Sequence, residues 1–314
     1  MKQRYVWLDA IKGIGILSVI FLHTMENMSL LLYAMPLFFI VSGYLHRPVP
    51  DMKSFFLKNA KRMLLPYLVF FLLIGTKNII LSDNRIDAIG DYAKLLIWGG
   101  NHMKGELSVF WYIDVLFISL MAFNFMRLRK VPTYFYVLLY LLSFLVDWLD
   151  INLPWNIQSL PLALCYMYVG TLFREHYAPQ DIGHILSVNK CVTGGVVTIA
   201  VICVPGIYLD IKYNMYGVPV LSFLLSIAVV VYLALLCGRL KPAWPLTSFL
   251  AYCGKASLFL MFIHQAIRFR LFFIQDNYVI FVLTVTLSVL SYYLVSRFKL
   301  GRILLCGENS QSVI

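Results

Sequence analysis

Charge is what this 314-residue sequence has least of: Asp, Glu, Lys and Arg make up 13% of it, against 61% hydrophobic residues and a mean hydropathy of +0.80. So few charges cannot cover the surface of a soluble domain, and the chain reads as a polytopic membrane protein. Acidic residues are scarcest, 15 against 26 Lys and Arg, for a formal net charge of +11. In a soluble protein that surplus would point to nucleic acid. Here the basic residues fall in short loops between apolar runs, where they set topology, so no nucleic-acid partner is expected.

Several chemistries also lack their motifs. The six cysteines, Cys165, Cys191, Cys203, Cys237, Cys253 and Cys306, form no C-x-x-C and sit mostly within or beside apolar segments. Buried thiols are expected, with no disulfide and no metal site. No G-x-x-x-x-G-K-[ST] loop is present, which argues against P-loop ATP hydrolysis. The first apolar segment holds a lysine and has no small-residue cleavage site behind it, so a retained helix is expected rather than a signal peptide. Residues 304–314 are a short polar tail, so residues 1–303 are expected to form one integral-membrane domain with no appended soluble domain.

Hydropathy divides the chain into about ten spanning segments, at 6–24, 30–46, 64–81, 108–126, 133–149, 157–173, 191–209, 217–237, 256–273 and 278–296. The expected fold is an all-α bundle. With Lys2 and Arg4 inside, 19 of the 26 basic residues fall on the inner side and seven on the outer, which predicts that both termini are cytoplasmic. The richest basic loop, H-R-P-V-P-D-M-K-S-F-F-L-K-N-A-K-R, alternates Phe55, Phe56, Ala60 and Met63 with Lys58, Lys61 and Arg62 at helical spacing. That pattern predicts an amphipathic surface helix leading into the third span. Asp83 to Glu106, the longest polar stretch, reads as an outer solvated loop. Helices five to eight read as bundle material, with glycines such as Gly170, Gly194, Gly195 and Gly217 for close packing.

Charges inside the first span ask for a reason, because they are costly there. Lys12 and His23 are 11 residues apart, about 20° from alignment on a helix and roughly 16 Å apart along it, so they share a face. Asp9, three residues before Lys12, can neutralise it across one turn. Without further signal, this is a snorkelling charge pair and an interfacial histidine.

The second span opens with M-P-L-F-F-I-V-S-G-Y-L at Met35 to Leu45. The pair of segments resembles acyltransferase family 3, integral-membrane O-acyltransferases whose first helix carries a basic residue, ten intervening residues and a histidine. The second helix of that family carries P-L-F-F-x-x-S-G-Y. Lys12 to His23 and Pro36 to Tyr44 match both. The family more often has arginine where Lys12 stands; lysine keeps the charge and loses the bidentate fork. The likeness continues through K-N-A-K-R-M-L-L-P-Y at Lys58 to Tyr67, the region around Trp111, and G-K-A-S-L-F-L-M-F-I-H-Q at Gly254 to Gln265.

The resemblance implies an acyl-CoA-dependent enzyme with no bound cofactor, close to sugar O-acetylases such as those described as fucose acetylases. Lys12, Lys58, Lys61 and Arg62 are implied on the CoA, His23 in catalysis, and Asp9, Ser42, Gly43 and Trp111 in shaping the site. His264, in M-F-I-H-Q, matches a histidine that recurs in the family. Asp114, about a turn inside the outer end of the fourth span, has two readings: it orients an imidazole at the depth of His23, or it pairs with a lysine or lines a wet crevice. The expected partners are acyl-CoA, a glycan or lipid-linked sugar acceptor and membrane lipids, with a homo-oligomer left open, in a bacterial inner membrane. His23 would serve as general base or would carry the acyl group itself. Outside the resemblance, a transporter or flippase of a lipid-linked glycan fits ten helices and intramembrane charge, although no inverted repeat is evident. A glycan polymerase would place its key residues in large outer loops.

Overall fold

The structure is a computed structural model describing residues 5–308 except 27, 150, 180, 181 and 186. Lys2, Arg4 and the tail from 309 onward lie outside the described residues. The chain is 78% helical, as a bilayer requires of a backbone that must satisfy its own hydrogen bonds. In chain order the helices are α1 (Val6–Met25), α2 (Leu31–Leu45), α3 (Met52–Asn59), α4 (Leu65–Ile80), α5 (Arg85–Trp98), α6 (Trp111–Leu128), α7 (Thr133–Trp148), α8 (Leu160–His176), α9 (Val188–Ile202), α10 (Pro219–Arg239), α11 (Pro245–Lys255), α12 (Ser257–Arg270), α13 (Asn277–Val295) and α14 (Lys299–Leu304).

Among the described residues, five helices are long and apolar enough to cross a membrane, or six if α11 and α12, bent by 83° at their junction, count as one span. Helices α2, α7 and α9 are apolar but shorter. The helical starts carry local signals. Asp51, Asn84 and Asp276 accept backbone N–H groups at the heads of α3, α5 and α13, and prolines open α10 and α11.

Three segments differ from the sequence reading. Residues 85–98 are helical, capped by Asn84, where a solvated loop is expected; the helix is polar and none of its residues is buried, so hydropathy does not reveal it. The seventh segment stops at Ile202, and the chain turns into a short antiparallel hairpin, β1 (Leu209–Asp210) with β2 (Met215–Tyr216). Residues 245–255 form α11, hidden in the sequence by Pro242, Pro245 and the basic Arg239 and Lys241. The basic loop after α2 is α3 as expected, and a π-turn over Ala60–Leu64 carries it into α4, giving one 29-residue apolar stretch.

The chain forms two compact units. The first comprises residues 1–46 and 162–257. In it α1 packs along α11 and against α2 and α10, and α2 against α10 and β1. Glycines set two crossings: a Cβ at Gly13 would overlap Leu250 O, and one at Gly254 would overlap Asp9 O, so α1 and α11 touch backbone to backbone. Gly43 and Gly170 do the same for α2 and α8, against Met167 O and Ile40 O. Arg174 Nη1 donates to Tyr44 O (3.2 Å) and His46 O (2.7 Å), a cation on the last carbonyls of α2, while Tyr44 OH donates to Tyr177 O (3.1 Å).

The second unit comprises residues 47–161 and 258–314. Its core is aromatic: Phe262 stacks on Phe70 (5.1 Å) and meets Phe110 (5.0 Å), which meets Tyr67 (5.1 Å). Asn124 ties the chain before α3 to α6, accepting from Val49 N and donating to Val49 O, both at 2.9 Å.

Gly254→Ala should therefore force α1 and α11 apart and cost about 1–3 kcal/mol, read as a lower thermal midpoint of the purified protein. Gly90→Ala, on α5 with open space around its Cα, should leave the midpoint unchanged or raise it. Equal loss in both variants would show that the crossing is not what the glycine serves.

Candidate functional site

The polar residues of α1 lie where their spacing puts them. Lys12 Nζ meets Asp9 Oδ1 at 2.7 Å, with side chains 22% and 6% exposed. Asp9 is held down by packing, because its own carbonyl is the surface against which Gly254 lies. His23 stands half-buried in the last turn of the same continuous helix. Of the second motif, Gly43 is the contact with α8, Ser42 beside it is half-buried, and Tyr44 is tied to the end of α8.

The first unit has two distinguishable ends. Trp7, Leu8 and Ile11 of α1 line one small apolar cavity with Tyr44 of α2, Phe173 of α8 and Ala234 of α10. The start of α1 thus shares an end with the finishes of α2, α8 and α10. His23 belongs to the opposite end, with the head of α10 and the hairpin that precedes it. That hairpin buries Asp210, Lys212 and Asn214, each at 8% exposure or less. Asp210 Oδ1 accepts Lys212 N at 2.9 Å, and burial raises its carboxyl above the usual range despite that bond. No sequence pattern marks this hairpin, since its charges lie among apolar residues.

The second unit holds the other candidates. Lys58 stands in the last turn of α3, and Lys61 and Arg62 stand on the π-turn; Lys58 and Lys61 are exposed, and the Arg62 guanidinium turns in toward Tyr112. Trp111, at the head of α6, is buried with its ring 6.3 Å from that of Tyr112. Asp114, also buried, accepts from Gly100 N at 3.2 Å, with the Tyr67 hydroxyl, which donates to Met103 Sδ at 3.8 Å, nearby. The two glycines that bring this turn to the carboxylate, Gly99 and Gly100, have φ of 58° and 62°, a region where a side chain is strained. Within this unit the carboxylate's hydrogen-bond partner is thus a backbone amide, beside a phenol. His264 is fully buried in α12, with Nδ1 2.9 Å from Leu260 O. Next to it, Gln265 Nε2 donates to Ser108 Oγ at 3.1 Å.

Sequence reasoning missed Glu106. Its carboxylate, 11% exposed, takes Lys77 Nζ at 2.7 Å and Arg270 Nη1 at 3.2 Å, so two basic residues share one acid. The partners are 29 and 164 residues away, beyond any local spacing rule. Among the described residues, no group of three His, Cys, Asp or Glu is placed to hold a metal ion.

A model of the acyltransferase domain of acyltransferase family 3 matches residues 5–306. The chain belongs to that family. No curated protein and no solved structure matches it. The match takes in every motif of both units, so the α1 face and the Lys58–Tyr67 segment are parts of one membrane acyltransferase.

Two measurements follow for this acyltransferase. Lys12→Met leaves Asp9 charged and buried, and should lower stability by about 3 kcal/mol, most of it recovered in Asp9→Asn/Lys12→Met. A double variant no more stable than the single would show that the pair is not coupled. Asp210, with its folded-state pKa raised, binds its proton more readily folded than unfolded, so stability should rise as pH falls through that raised value toward about 4. The difference in thermal midpoint between wild type and Asp210→Asn should change over that window; a flat difference would rule the effect out.

Proposed function

We propose that this protein is an O-acyltransferase of the bacterial inner membrane that moves an acyl group, acetyl in the first instance, from cytoplasmic acyl-CoA to a hydroxyl of a cell-surface or lipid-linked sugar. In this reading the apolar helices make about ten crossings with both termini cytoplasmic. The observation that carries it is the face of α1: a lysine charge-fixed by Asp9 at one end and a half-buried histidine on the same helix toward the other. Lys12, Lys58, Lys61 and Arg62 hold the CoA phosphates, and the slender pantetheine arm runs along α1 toward His23.

His23 takes the proton of the acceptor hydroxyl as its oxygen attacks the thioester carbonyl. The tetrahedral oxyanion then collapses, breaking the carbon–sulfur bond, and the departing CoA thiolate takes the proton from the imidazolium. Asp114 and His264 are assigned supporting catalytic roles, and Asp9, Ser42, Gly43 and Trp111 hold the site in shape.

Transfer of label from acetyl-CoA, supplied on the cytoplasmic face of membrane vesicles, into glycan tests this. His23→Ala should reduce transfer about 10²–10⁴-fold with the protein still folded. Lys12→Ala should raise the KM for acetyl-CoA. Undiminished transfer by His23→Ala would remove the general-base assignment. Absence of transfer by wild type with native glycan present would favour a lipid-linked glycan transporter instead.

A further inference from the structure

The last helix, α14, carries an arginine that the mechanism above does not use. A Cβ at Gly307, whose φ is +67°, would overlap Arg62 O, so the chain after α14 touches the π-turn that bears Lys61 and Arg62. Glu308 N donates to Arg302 O at 3.0 Å, which brings Arg302 to the same place. Arg302 is half-buried, and its Nε is a buried donor with no hydrogen-bond partner.

Glu308 is the nearby acid, and it makes no ion pair with Arg302. Among the described residues Arg302, Lys58, Lys61 and Lys299 form no ion pair and no side-chain hydrogen bond. The Cys306 thiol, pushed up to about 12 by burial and by the charge of Glu308, stays protonated and supplies no anion. Buried donors are rarely left orphaned, and a cluster in which cations outnumber the one acid attracts a multivalent anion. A guanidinium fork suits phosphate oxygens in particular.

We propose that Arg302 is a phosphate-binding residue of the acyl-CoA site, joining Lys61 and Lys58 around the phosphates of the donor. The proposal rests on the acyl-CoA-dependent reading above. Arg302 acts on the part of the donor remote from the thioester, so it sets donor affinity and leaves the chemical step alone. An anionic lipid headgroup offers the same chemistry, and the test separates the two.

The test is equilibrium binding of CoA and of pantetheine to the purified full-length protein, in zwitterionic vesicles with and without anionic lipid. Wild type should bind CoA more tightly than pantetheine, and Arg302→Gln should weaken CoA about tenfold while leaving pantetheine unchanged. Arg302→Lys should recover part of the loss, which a folding defect would not allow, and the thermal midpoint of each ligand-free variant is the folding control. Unaltered CoA binding by Arg302→Gln overturns the proposal while leaving the acyltransferase reading intact. Equal loss for CoA and pantetheine, or a loss seen only with anionic lipid, overturns it as well. If wild type binds CoA no better than pantetheine, both the proposal and its phosphate-holding premise fall.

Discussion

The contact on which the first unit depends is the touching of two backbones, α1 and α11, at Gly13 and Gly254. In lipid there is little hydrophobic force to bring helices together, so their association rests on close packing and on polar contacts. At this crossing the two coincide. The carbonyl that Gly254 covers belongs to Asp9, whose carboxylate holds Lys12. The glycine that lets the helices approach thus also fixes an ion pair inside the bundle, and a side chain at either position would disturb packing and electrostatics together.

The positions of most helices can be read from hydropathy, since the segments drawn for α1, α2, α6, α7, α8, α10 and α13 agree with the structure to a few residues. What hydropathy misses has a common cause. Helix α5 is polar and unburied, and α11 begins among prolines and basic residues, so neither stands out from a loop in a scale tuned to lipid. The continuation of residues 191–202 into 209 fails for the opposite reason: residues 203–209 are apolar enough to pass for helix, and only the backbone turn into the hairpin distinguishes them.

The site is legible in the same uneven way. Asp9 and Lys12 are three residues apart on one helix, so their ion pair follows from local geometry. Tyr67 and Asp114 stand in different segments, and nothing in their spacing joins them; the fold does so by placing α4 beside the head of α6. Glu106 shows the limit most clearly, because one acid in a polar stretch gathers a lysine from α4 and an arginine from α12. Local rules recover contacts within a helix, and long-range charge pairing needs the tertiary structure.

The basic residues can be sorted by what neutralises them. Lys12 has Asp9, Lys77 and Arg270 share Glu106, and Arg174 reaches the last carbonyls of α2. Each of these cations has a partner inside its own unit, and each ties two turns or two elements together. Among the described residues, Lys58, Lys61, Lys299 and Arg302 form no ion pair, Glu308 beside Arg302 included. Sequence alone treats all of these as topology signals, since the positive-inside rule counts charges without asking what they face. Self-repulsion would oppose gathering unpaired cations where α3, α4 and α14 meet, and an anion from outside the chain removes that opposition. The paired cations hold the fold together, and the gathered, unpaired ones are the group on which the proposed donor site draws.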